Sequence, residues 1–258
     1  MDISYIDSHA HIYLDKFRND INKIIENSLN NNVHKILMPN INLATVHDML
    51  KLSSKYKNIC YPMLGLHPCY INNRFDSEID NIFKNYSPDI IAIGEIGLDF
   101  YRSRENEIDQ IKAFEKQCKF ALEKDLPIVI HTRNSIDETI NIVSKFSKRG
   151  LKGVFHCFSG DLIQANKIIE LGFKIGVGGV LTFKNSNLKN VISHIDIMHI
   201  ILETDSPYLS PEPNRGSVNE PANLIYISQK LSQILSIPIE LVSKVTSQNV
   251  KNLFDLPD

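Results

Sequence analysis

Short apolar runs rich in β-branched residues recur along the chain, separated by longer stretches in which apolar and polar positions mix with helical spacing. The runs are SYID at 4–7, KILMP at 35–39, CYPMLG at 60–65, IIAIG at 90–94, PIVI at 127–130, KGVF at 152–155, FKIGVG at 173–178 and HIILET at 199–204. Stretches such as DKFRNDINKIIENSLNN from Asp15 and ENEIDQIKAFEKQCKFALEK from Glu105 are long enough for the intervening helices. Strands alternating with helices pair in parallel through crossovers, and eight such units close a (β/α)8 TIM barrel. That fold needs ~250 residues, and the chain has 258. An open doubly wound sheet would carry a Gly-rich turn after its first strand, where this chain has SHAH. No linker, repeat block or low-complexity segment divides the sequence, so one domain over 1–258 is expected. Ile239 to Phe254 reads as an extra C-terminal helix packed on the barrel.

Barrel enzymes carry their working residues at the C-terminal ends of the strands. His9 and His11 follow the first run, His67 the third, Glu95 the fourth, His131 the fifth, His156 the sixth and Asp205 the eighth. Five of the nine histidines therefore gather on one face. His34, His194 and His199 fall just before strands and His47 lies in a helical stretch, so these four read as surface or packing residues. Residues two apart in an extended segment point the same way, which lets the imidazoles of IDSHAHI converge.

A lone strand-end histidine is more often a hydrogen-bonded structural residue than a ligand. A set of imidazoles and carboxylates facing one barrel mouth is different, since it needs divalent cations to neutralise and organise it. His9, His11, Glu95, His131, His156 and Asp205 exceed the three or four protein ligands of one ion. Two divalent ions about 3.5–4 Å apart are expected, bridged by the two oxygens of Glu95. Mixed imidazole and carboxylate ligation accommodates Zn, Mn or Mg and does not choose among them.

Other residues border this set. Glu203 shares a face with Asp205 and should point into the barrel beneath the metals, hydrogen-bonding a ligand or water. Arg133, two after His131, could present a bidentate fork to phosphate, and His67, whose turn is set by Pro68, could contact substrate. Gly176, Gly178 and Gly179 could bring backbone N–H groups near a phosphate. Phe100, Tyr101, Phe158 and Tyr208 stand where bases could stack, and Cys157 is expected to point to the other face of its strand as a packed core thiol.

Charge narrows the partners. With 28 Lys and Arg against 30 Asp and Glu, the net charge of −2 supplies no global field for nucleic acid, so a polyanion would be held locally, by a few cations or by metal. Cys60, Cys69, Cys118 and Cys157 form no C-x-x-C pair, and the chain opens MDISYID without a basic and apolar leader. A reduced, cytoplasmic protein without a membrane segment or an obligate protein partner is expected.

IDSHAHI, LGLHP, IGEIGLDFYR, LPIVIHTR, GVFHCFSG, LGFKIGVGGVLTF, ILETDSPYLSP and NRGSVNEPAN, in that order, resemble the TatD family of metal-dependent deoxyribonucleases within the amidohydrolase-like barrels. GEIGLD, HCFSG and LETDSPYL are specific together, whereas H-x-H is shared by many metallohydrolases. The resemblance implies a metallo-dependent hydrolase with His9, His11, Glu95, His131, His156 and Asp205 at the metal-binding positions. It also implies Asp205 as the base for the nucleophilic water and 3′-5′ exodeoxyribonuclease activity. Relatives also resemble D-aminoacyl-tRNA deacylases, so DNA, RNA or tRNA are the candidate substrates. Ser217 and Val218 depart from the basic residues that relatives often carry before Asn-Glu-Pro, which weakens local positive charge at the site's border.

Two rivals make different demands. Several amidohydrolase-like families cleave C–N or C–O bonds with a carbamylated lysine after the fourth strand, where this chain has Glu95. That residue biases the chemistry towards phosphate or ester cleavage. A non-catalytic metal or nucleic-acid scaffold would tolerate loss of ligands or of Asp205, and none is missing.

Overall fold

The computed structural model describes residues 3–101 and 103–257. Its strands are β1 (Tyr5–Asp7), β2 (Val33–Pro39), β3 (Cys60–Met63), β4 (Ile93–Asp99), β5 (Ile128–Arg133), β6 (Gly153–Phe155), β7 (Lys174–Val177) and β8 (Ile200–Leu202). β1 to β3 pair in parallel as one sheet and β4 to β8 as another. Parallel bridges Leu64↔Ile93 and Ala10↔Ser206 join the two sheets at both seams and close the ring as a TIM barrel. The second seam is drawn tight by Ser8 N–H on Leu202 O at 3.1 Å, Asp205 N–H on His9 O at 2.8 Å and His11 N–H on Ser206 O at 2.7 Å.

The helices are α1 (Ile21–Asn30), α2 (Val46–Lys55), α3 (Phe75–Phe83), α4 (Glu107–Glu123), α5 (Ile136–Ser147), α6 (Leu162–Glu170), α7 (Leu188–Ile192), α8 (Leu224–Leu235) and α9 (Ile239–Phe254). Each amphipathic helix lays an apolar stripe on the outside of the ring, against residues such as Ile36, Met38, Ile130, Phe155 and Ile200. The alternate strand residues point inward. Ile6, Leu37, Met63, Ala92, Val129, Val154 and Ile201 form a separate interior cluster, joined by Val250, Leu253 and Phe254 at the end of α9. The C-terminal helix therefore caps the barrel interior at the end where the strands begin.

Several boundaries differ from the sequence expectation, and the differences move chemistry. The fourth and fifth strands run on past residues 94 and 130, because Gly97↔His131, Leu98↔Thr132 and Asp99↔Arg133 continue their pairing. Glu95, His131 and Arg133 thus lie within strands rather than after them. The β4–β5 register shifts between Ile93 and Ile96, an irregularity of the kind that re-aims a side chain, and Glu95 sits inside it. The expected helix from Asp15 is interrupted: Asp15–Phe17 is a single 3-10 turn that buries Phe17, and Asp20 leaves helical geometry (φ −116°, ψ 6°) before α1 begins. His34 lies in β2 itself, at its exposed start, while His199 precedes β8 in a turn. Among the described residues no helix is long and apolar enough to cross a membrane, and the four cysteines are unpaired by disulfides.

Candidate metal centre

β1 continues past Asp7 as an extended segment, held by Ala10 N–H on Leu37 O at 3.0 Å. The two-residue alternation survives there, so the His9 and His11 Nε2 atoms meet at 3.1 Å. Glu95, buried at 3% exposure, stands at the centre of the cluster. Its Oε2 lies 3.3 Å from His9 Nε2 and 3.4 Å from His11 Nε2. Its Oε1 lies 2.9 Å from His131 Nδ1, 3.0 Å from His156 Nε2 and 3.3 Å from His67 Nε2. Asp205 closes the other side, its Oδ1 being 3.7 Å from His9 Nε2 and 3.6 Å from His11 Nε2. The six residues expected to hold metal, and His67, are thus brought together by six strands and the loops that follow them.

The surrounding bonds decide which ring nitrogen is free. Tyr13 O–H donates to Pro39 O at 2.7 Å, so His11 Nδ1, at 3.0 Å from the Tyr13 oxygen and 3.2 Å from Pro39 O, must be a donor. In the neutral ring the lone pair of His11 is then on Nε2, facing Glu95 and Asp205, and in the metal-free site that same nitrogen is the one these carboxylates favour for a second proton. His67 is the reverse: Cys69 N–H donates to its Nδ1 at 3.1 Å, which places the proton of the neutral ring on Nε2. His67, Glu95 and His131 do lie close enough to share an ion. We assign His67 as an N–H donor instead, because a protonated nitrogen cannot ligate a metal.

Charge in the cluster is balanced by these neighbours. Burial opposes the ionised form of Glu95, but His67, His156, His9 and His11 hold its carboxyl well below the usual range. Asp205 is depressed in the same way, by a hydrogen bond from His11 and the nearby His156 and His9 acting against burial. Burial also opposes charge on His11, His131 and His156, yet Tyr13 and Asp205, Asp99 and Glu95, and Glu95 and Glu203 respectively raise them. His9 is lowered, by burial and by His156, whose ring stacks on its own at 3.8 Å between centroids.

The donor set suits divalent cations. Imidazole nitrogens and carboxylate oxygens are borderline to hard ligands of the kind that bind Zn, Mn or Mg. His9, His11 and Asp205 offer ligand atoms within 4.8 Å of one another, and so do His9, His156 and Glu203. Three buried atoms, His9 Nδ1, His156 Nδ1 and Glu203 Oε2, have no hydrogen-bond partner, which marks a polar centre that the protein does not satisfy by itself. His156 Nδ1 is 3.3 Å from Glu203 Oε1, but not in a geometry that donates to it.

Asp99, Asp7 and Tyr13 were not singled out by the sequence pattern as site residues, although each sits an even number of residues from a ligand candidate. Asp99 Oδ2 accepts from His131 Nε2 at 2.9 Å. Asp7, fully buried, accepts from Thr204 N–H at 2.9 Å and from His9 N–H at 3.2 Å. Glu203 lies beneath the cluster as expected, and its Oε1 accepts from Cys157 N–H.

Other expectations change. β6 ends at Phe155 and Cys157 has φ +46°, so strand alternation never reaches it. Burial pushes the pKa of its thiol well up, with the charges of Asp205, Glu203 and Glu95 adding to the rise. Gly176 is needed for close packing: a Cβ there would meet Glu203 Oε2 at 2.7 Å and His156 Cα at 2.9 Å. At Gly179 a Cβ would meet Leu209 O at 1.9 Å, so both positions need glycine for the packing of the barrel wall. Phe100 and Phe158 are buried in the core, while Tyr101 and Tyr208 are exposed. Arg133 stands apart from the cluster at the rim, its guanidinium stacked 3.6 Å over the Tyr101 ring.

A closed parallel barrel with clustered histidines and carboxylates at its C-terminal mouth defines the class of metal-dependent barrel hydrolases. The family model described as TatD related DNase matches residues 6–255. An uncharacterized metal-dependent hydrolase of Buchnera aphidicola subsp. Acyrthosiphon pisum is 35% identical, covering 97% of this chain and 99% of its own length. A metal-dependent hydrolase of Haemophilus influenzae is 30% identical over 97% of this chain and 99% of its own. The crystal structure of YjjV, a TatD homolog from Escherichia coli, superposes with a TM-score of 0.92 at 28% identity, covering 98% of each chain. The chain belongs to the TatD family and is a metal-dependent hydrolase.

Proposed function

We propose that this protein hydrolyses DNA phosphodiester bonds from a 3′ end, with two divalent cations that His9, His11, Glu95, His131, His156 and Asp205 would hold. The observation that carries this reading is the division of the Glu95 carboxylate, with Oε2 toward His9 and His11 and Oε1 toward His131 and His156. The family model's description as a DNase supports the choice of substrate. Bound divalent cations would supply Lewis acidity, neutralising phosphate charge and making water more acidic.

The protein's own residues do the rest. Asp205, with 14% of its side chain exposed against 4% for Glu95, is the carboxylate that water can approach from the mouth. Its depressed pKa keeps it ionised at neutral pH, ready to take a proton from the attacking water. His67 Nε2–H faces Glu95 Oε1 at 3.3 Å, and a phosphate oxygen entering the site would compete for that donor. Arg133, held flat on Tyr101, offers its planar fork at the rim.

Release of labelled nucleotide from single-stranded DNA by purified protein, with added Mg²⁺, Mn²⁺ or Zn²⁺ and beside Glu95→Ala, tests the proposal. Metal-dependent release that vanishes in the variant is expected. A wild type that binds metal and releases nothing sinks the nuclease assignment, and a D-aminoacyl-tRNA ester is the next substrate to try.

A further inference from the structure

We propose that Asp99 is a positioning residue that selects which nitrogen His131 offers to a cation, holding the proton on Nε2 and leaving Nδ1 directed at Glu95. The inference rests on the metal-binding reading of the cluster and extends it to the tautomer of one ligand. His131 bridges two carboxylates: Nε2 to Asp99 Oδ2 and Nδ1 to Glu95 Oε1, both at 2.9 Å. Both carboxylates can only accept, so each ring nitrogen has a place for a proton in the metal-free site, but only Glu95 belongs to the cation cluster: a cation there would take the place of the Nδ1 proton, while Asp99 retains the one on Nε2. His156 meets the same Glu95 oxygen through Nε2, at 3.0 Å. Two rings converging on one oxygen thus present different nitrogens, and of their two far nitrogens that of His131 has a partner, Asp99, whereas His156 Nδ1 has no hydrogen-bond partner. A partner on the far nitrogen is the usual means of fixing a ligand's tautomer, with losses of about 10–100-fold in metal affinity when it is removed.

Asp99 is built to be that partner. It is 8% exposed, and its Oδ1 accepts from Tyr101 N–H at 3.0 Å, which leaves Oδ2 for His131. Cys69 Sγ also lies 3.5 Å from Oδ2. Gln110 pins the backbone from both sides, its Oε1 accepting from Asp99 N–H at 2.8 Å and its Nε2 donating to Asp99 O at 3.1 Å. The pairing Asp99↔Arg133 and Gly97↔His131 sets the two strands side by side, and the Tyr101 N–H on Oδ1 keeps Oδ2 turned to the ring.

Two substitutions separate this role from a merely structural one. In Asp99→Asn the single oxygen can keep the Tyr101 N–H, which turns the amide N–H2 towards His131 Nε2. That nitrogen must then accept, and the proton moves to Nδ1, where it blocks the metal. Asp99→Ala removes the direction without imposing the wrong one. We expect divalent metal affinity, measured on chelator-stripped protein by Mn²⁺ or Zn²⁺ competition with a chelating dye, to fall in the order wild type, Ala, Asn. The Asn variant should lose about 10–100-fold. A structural role predicts the opposite order, because Asn conserves shape, so an Asn variant that binds as well as or better than Ala overturns the proposal. Nitrogen NMR of histidine-labelled, metal-free wild type, at a pH that leaves the ring neutral, tests the tautomer with no variant at all. Protonation of His131 at Nε2 is expected, and protonation at Nδ1 overturns the proposal. Wild type with the Nε2 proton but no uptake of divalent metal supports the Asp99 role while removing the metal-binding reading.

Discussion

Asp7, at the end of β1, and Asp99, at the end of β4, are two carboxylates of one site with opposite responses to it. Burial pushes the Asp7 carboxyl up to about 7, with Glu203 adding to the rise and hydrogen bonds from Thr204 and His9 N–H limiting it. At Asp99 burial also raises, but the His131 hydrogen bond and Tyr101 N–H win and bring it down to about 2. The signs for stability differ accordingly. For Asp7 the native state holds its proton up to about 7, whereas the unfolded chain releases it near a pKa of ~3.9. The native state therefore binds more protons across that window, and its contribution to stability is lost as pH rises through it. For metal-free protein we expect the urea midpoint to fall from the acid to the neutral side of that window more steeply in wild type than in Asp7→Asn. Equal slopes would place the Asp7 carboxyl in water.

At the scale of elements, the barrel is two open sheets held as a ring by a few bonds at each seam and by plugs at its ends. α9 is one such plug. Phe254, 3% exposed, packs with Leu253 and Val250 against Ile6, Leu37 and Val129 inside the strands. Phe254→Ala should cost about 3–5 kcal/mol, the range for emptying a buried aromatic site. In a chain of this size that corresponds to a fall in Tm of roughly 6–20 °C. A thermal melt checks it, and an unchanged Tm would mean that α9 does not close the interior. Metal affinity should change little, since the plug lies at the opposite end from the histidines.

For the whole molecule, the chain's net charge of −2 conceals a local balance at the mouth between carboxylates and imidazoles. His11, His131 and His156 are all raised in the absence of metal, so cations must displace protons from them. Metal affinity should therefore weaken as pH falls, with protons released on binding, and calorimetry in buffers of different ionisation enthalpy would detect them. Cations that bind the native state and not the unfolded chain add about 2.7 kcal/mol at a hundredfold excess over Kd. Chelation should lower Tm, readdition of a divalent cation should restore it, and Glu95→Ala should remove both effects.

Much of this was legible in the sequence because the signals are local. Alternation in IDSHAHI placed His9 and His11 on one side, helical spacing marked Ile239–Phe254 as α9, and recurring apolar runs located eight strands. Tertiary structure decided what depends on distance across the barrel. Glu95 and His131 are 36 residues apart, and the continued β4–β5 pairing brings both inside strands and Asp99 onto the His131 ring. The proton on His67 was set by a backbone N–H in its own turn, and the fate of Cys157 by a residue with positive φ where its strand had already ended. Periodicity reports which way a side chain leaves the backbone. Which oxygen faces which nitrogen, and which nitrogen holds a proton, is settled when the ring of strands closes and the groups desolvate one another.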